Sequence, residues 1–168
     1  MRKYFPVFAS MLVGLTLSAC GGVHNVVTKQ PSGIDSIKLV TVAPVEVTSK
    51  EQNADALSLN AQWKRMAEDE LQSLLTSKKI ATSSNNSQAT VVCRINVVYG
   101  NRALRYWVGF GAGSGSLTVT IELKDKSGNV QYATDSKADL AVGAFGGDIS
   151  DVARKAIQTA VKEFGSRL

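Results

Sequence analysis

The chain has 168 residues, 44% of them hydrophobic, and a formal net charge of +5 at neutral pH. This length suits one domain with its own core. The basic excess is too mild for a nucleic-acid footprint, and the single histidine, His24, cannot build a histidine metal cluster or a serine–histidine pair.

From the start, Arg2 and Lys3 precede an apolar run of fourteen residues, Tyr4 to Leu17. A bilayer-spanning helix needs about 20 apolar residues, so the run reads as the hydrophobic part of a signal peptide. Small residues then lead to a thiol in Leu17-Ser18-Ala19-Cys20, which resembles the bacterial lipobox at all four positions. The resemblance implies removal of residues 1–19, a diacylglyceryl thioether on Cys20 and acylation (palmitate in type) of its new amine. Several acyl chains make release from a membrane negligible, at about 0.8 kcal/mol per buried methylene. In Gram-negative lipoproteins an aspartate after the cysteine favours retention at the inner membrane. Gly21 stands there instead, which implies sorting to the outer membrane with the domain facing the periplasm.

Loss of Arg2 and Lys3 leaves 17 basic against 14 acidic side chains. With Cys20 acylated, Cys93 is alone and no intrachain disulfide can form. Cys93 lies in an alternating apolar stretch, where a cysteine is ordinarily a small buried hydrophobe.

Residues 20–35 are polar and glycine-bearing and read as a flexible tether, which would span roughly 20 Å. Residues 36–168 form the domain. Ser36 to Val47 reads as a strand, with Pro44 marking an edge or an end. From Asp55 to Lys79, Leu59, Trp63, Met66, Ala67, Leu71, Leu74 and Leu75 recur at helical spacing. After a Ser/Asn loop, Val91, Cys93, Ile95, Val97 and Tyr99 alternate as a strand, and Leu117, Val119, Ile121 and Leu123 do so again. Asp125 to Asn129 is a turn, and Val130 onward returns as a hairpin strand. Ile149 to Phe164 is a second amphipathic helix, with Gly165 placed to stop it. The order β-α-β-β-β-α predicts an α+β two-layer sandwich: a mainly antiparallel four-stranded sheet with both helices on one face.

The least ordinary stretch is Asn101 to Gly115, where Arg102, Arg105, Tyr106, Trp107 and Phe110 run into glycines at alternate positions. No G-x-G-x-x-G register, no Lys-Ser/Thr and no following helix support a phosphate cradle. Two readings stay open. It is a bent hairpin that puts its aromatic residues in the core, or a contact loop whose basic and aromatic residues meet a bilayer or an acidic partner. Gly100 to Gly113, with the strand and turn that follow, resembles the signature of a family of small bacterial lipoproteins known as domain of unknown function forty-four ten. That resemblance implies relatives but no activity.

No paired catalytic groups are legible: Asp125, Asp135, Asp139 and Asp148 are scattered over turns and strand faces. The expectation is therefore a non-enzymatic envelope lipoprotein without cofactor or metal. It would be held to the membrane by Cys20 and dock onto an envelope protein through Arg102, Arg105, Tyr106, Trp107 and Phe110. The alternative is a binder of lipid or another small apolar ligand between helices and sheet.

Overall fold

The computed structural model describes residues 23–29, 34, 37–84, 86–99, 115–140 and 149–168. The strictest alternation in the sequence forms the middle of the sheet. Strand β6, Gly115–Asp125, turns Leu117, Val119, Ile121 and Leu123 fully inward and leaves Ser116, Thr118, Thr120, Glu122 and Lys124 half-exposed. It lies antiparallel between β5 (Ala89–Val98) and β7 (Val130–Leu140). The other strands are β1 (Val23–Lys29), β2 (Leu39–Val42), β3 (Glu46–Ser49) and the two-residue β4 (Ala81–Thr82). The sheet order is β1-β7-β6-β5-β2-β4, and β3 continues the lane of β2 along β5.

The α+β class and the two helices match the sequence expectation, but a four-stranded, mainly antiparallel sheet is not what forms. Among the described residues, seven strands make a mixed sheet, in which β2 and β3 both run parallel to β5. The cause is the crossover. The 24-residue helix α1, Ala54–Ser77, is about 36 Å long and carries the chain back to the end where β2 began, so β5 starts in the same direction. Pro44 is exposed in the gap between β2 and β3, where a residue with no N–H costs the ladder nothing, and Val45 beside it is buried.

The second correction concerns the tether. Residues 23–29, expected to be flexible, form β1 and pair antiparallel with β7, from Val23 opposite Ala138 to Lys29 opposite Ala133. Ile34, also assigned to the tether, is 5% exposed and belongs to the core. β7 otherwise ends the antiparallel meander with an open row of N–H and C=O groups. Val23, Val26 and Val27 suit the strand that satisfies them.

Both helices cover the same face. Helix α1 buries Ala56, Trp63, Ala67, Leu71 and Leu75, with Leu59, Met66 and Leu74 packed at the margin. Its start is capped by Asn53, whose side-chain oxygen accepts the Ala56 N–H at 2.9 Å. Its end is a Schellman turn. Lys79 takes φ 57°, its N–H donates to Thr76 O, and the Ile80 N–H donates to Leu75 O at 2.9 Å. Helix α2, Ile149–Gly165, buries a stripe of Ala153, Ala156, Ile157, Ala160, Val161 and Phe164. Gly165 does not stop it by adopting a left-handed conformation; it lets α2 approach the Leu74 side chain, which a Cβ there would strike. Tyr132 stacks on Phe164 with centroids 5.6 Å apart, joining β7 to α2.

Candidate docking surfaces

Cys20, Arg102, Arg105, Tyr106, Trp107 and Phe110 all lie outside the described residues. What the structure supplies is their frame. Strand pairing places Val23, Ala138, Leu117, Val97 and Ser49 in one row across five strands. This row marks one end of the domain, here called proximal because residue 20 is nearest to it in sequence. Tyr99 and Gly115, which bracket the glycine-rich segment, leave the sheet at this end. The β6–β7 turn and the C-terminal end of α1 lie at the opposite, distal end.

Tyr99 is held at the proximal end from two sides. Its ring stacks on Trp63 at 6.1 Å and 19°, and its hydroxyl donates to Asn60 Oδ1 at 3.0 Å. Burial, and then the nearby Glu51 carboxylate, raise its pKa above the ordinary tyrosine value. The glycine-rich segment therefore starts from a fixed stem. Sequence reasoning placed Tyr99 on the strand but gave no sign of its bond to α1, because Asn60 lies 39 residues away and reaches it only through the helix crossover.

The sheet face opposite the helices is polar, and among the described residues no helix covers it. Its centre is a row of charges. Arg94 Nη1 donates to Glu122 Oε2 at 2.9 Å, Lys124 Nζ lies 3.2 Å from the same oxygen, and Arg94 Nε lies 3.6 Å from Glu46 Oε2. Partial burial by itself would raise the Glu122 pKa. Hydrogen bonds from Lys124 and Arg94, with their charges, outweigh it and hold the carboxyl below its usual range. Further along β6, Thr120 Oγ1 donates to Asp135 Oδ1 of β7 at 2.6 Å.

Of the acidic residues considered for chemistry, Asp135 accepts the Thr120 hydroxyl and Asp125 organises a turn. Asp125 Oδ1 accepts the N–H groups of Ser127 and Asn129, both at 2.9 Å, and Oδ2 accepts from Gln131 Nε2 at 2.7 Å. The backbone bond from Asn129 leads the effects that lower its pKa. With Gly128 at φ +83°, these bonds build the hairpin turn. Asp148 lies outside the described residues. Cys93 is buried, and desolvation, then Glu68, pushes its thiol up to about 12, so it holds its proton and is a poor nucleophile. Among the described residues no group of three or more His, Cys, Asp or Glu side chains could hold a metal ion. No described helix is long and apolar enough to cross a membrane. The space between helices and sheet is taken by Trp63, Leu71, Leu75, Tyr132, Phe164 and the inward side chains of β5 and β6, all essentially inaccessible.

The family model described as "Domain of unknown function (DUF4410)" matches residues 29–144, which is 116 of the 168 residues. The chain belongs to this family. The matched region holds the whole sheet except most of β1, the whole of α1, and the glycine-rich segment. No curated protein matches the sequence. Among solved structures, a point variant of the PelC dodecamer from Paraburkholderia phytofirmans is similar with a TM-score of 0.54 and 17% identity, over 89% of this chain and 100% of that one. A second PelC dodecamer structure from the same organism gives 0.52 and 16%, over 84% and 96%. A PDZ domain protein from Parabacteroides distasonis gives 0.51 and 8%, over 86% of this chain and 35% of that one. At these identities the likeness shows a shared fold.

Proposed function

We propose that this protein is a non-catalytic, lipid-anchored lipoprotein of the cell envelope. It works as a docking or assembly component at the outer membrane, with its domain facing the periplasm. One observation carries the reading: the lipobox cysteine stands three residues before Val23, the first residue of a strand built into the sheet. Acylation at Cys20 would attach the folded domain itself to the membrane, without a long leash. Gly21 after the cysteine supports outer-membrane sorting. Arg102, Arg105, Tyr106, Trp107 and Phe110 belong to the segment that leaves the sheet between Tyr99 and Gly115, at the same end, and they are the contact residues of the proposal. The PelC structures that share the fold are dodecamers, which supports a role exercised by several copies together.

Two measurements test this. Replacing Cys20→Ser should abolish fatty-acid labelling and release the chain from the membrane fraction; persistent labelling sinks the anchoring. A photo-crosslinker at Trp107 in intact cells should capture a defined envelope protein or a second copy, and Arg102→Ala/Arg105→Ala should weaken that capture. Trapping of lipid alone refutes the docking role.

A further inference from the structure

We propose that the proximal end of the domain faces the bilayer surface directly, with Leu57 and Val98 as its apolar contacts. This rests on the anchoring at Cys20 proposed above. Cys20 and Val23 are three peptide steps apart, so their Cα atoms are separated by at most about 11 Å whatever path Gly21 and Gly22 take. Val23 shares its row with Val97, three strands away, or about 14 Å across the sheet. Val98 lies one residue beyond that row. A bilayer holding acyl chains at Cys20 therefore lies close to the level of Val98.

The large hydrophobic side chains left exposed among the described residues are Leu57, at 49%, and Val98, at 47%. Both are at this end, Val98 on the open face of the sheet and Leu57 on α1 over the other. The Tyr99 hydroxyl lies 3.4 Å from Ala56 O, and Leu57 and Val98 each adjoin one partner of that contact. An isolated exposed apolar residue needs no explanation. Here the exposure coincides with the attachment point of the lipid, reached by an independent route through sheet register. The distal end differs. It carries a shallow depression of about 420 Å³ lined by polar or charged residues such as Asn86, Ser87, Lys124 and Lys126. Charge does not choose the proximal end, since Lys50 there is offset by Glu51 and Asp55, and Asp139 shares the row of Val98 through Ser116. The contact is apolar: half-exposed aliphatic side chains enter the interfacial layer, which releases the water they order.

The test uses the full lipidated chain in vesicles of phosphatidylethanolamine and phosphatidylglycerol that contain a nitroxide-labelled lipid. Bimane is attached in turn to Leu57→Cys, Val98→Cys and, at the distal end, Lys126→Cys. The buried Cys93 and the acylated Cys20 do not compete for the dye. Bimane at 57 and at 98 should be quenched several-fold more than at 126, and each proximal position reports on its own should the other variant misfold. If the protein floats with the vesicles but 126 is quenched as strongly as 57 and 98, or none of the three is quenched, the proposed orientation is wrong and the anchoring stands. A lipidated chain that fails to float overturns both.

Discussion

Strand β6 has two sides that share one backbone and do different work. On one side Leu117, Val119, Ile121 and Leu123 are sealed beneath the helices; on the other Thr118, Thr120, Glu122 and Lys124 are half in water. The covered side holds the fold through burial, at about 25 cal/mol per Å² of apolar surface. The open side is held by exposed or half-exposed hydrogen bonds and ion pairs that water also offers, so each adds little. Stability thus sits on one face, and side chains on the other can be changed at little cost.

Substitutions separate the two sides. The largest effect belongs to Trp63→Ala beneath the covered face: about 3–5 kcal/mol in chemical denaturation, with the Tyr99 stack lost as well. Ile121→Ala, at the centre of β6, should cost about 2–5 kcal/mol. A loss under 1 kcal/mol at both sites would mean that this side does not carry the fold. On the open side Arg94→Ala should cost about 1 kcal/mol or less at neutral pH, because Arg94 is itself substantially exposed.

That smaller loss carries a pH signature. Glu122 has its folded-state pKa lowered, so its contribution is complete above the ordinary carboxylate range and disappears as pH falls through the folded value. Denaturation midpoints of the native chain and Arg94→Ala should therefore converge on acidification, whereas the Ile121→Ala difference should persist. The smallest effect is expected of Thr118→Ala, within about 0.5 kcal/mol. A thiol probe sharpens the contrast: in the native protein Cys93 should react with a maleimide only on unfolding.

Much of this division could be read in the residues. The period of two in β6, the helical stripe from Trp63 to Leu75 and the apolar face of α2 each needed only a local pattern. Strand direction is another matter. An alternating run looks the same in parallel and antiparallel pairing, and the parallel alignment of β2 and β3 with β5 arises from the length and return of α1. β1 escaped for a different reason: a short edge strand with His24 and Asn25 among its valines has the composition of a linker, and only the open edge of β7 makes it a strand. β4 has two residues, too few to show any period. For the candidate site the sequence supplied residue types, while the structure describes only the chain positions that border them, Val23, Tyr99 and Gly115, which strand register brings to one end and no local motif encodes.

The placement of β1 also has a mechanical consequence. A pull applied just before Val23 and resisted at the distal end acts along the strand axis. The rungs from Val23–Ala138 to Lys29–Ala133 are then loaded together in shear, instead of opening one after another like a zipper. A domain hung this way would resist detachment through the summed strength of its edge ladder.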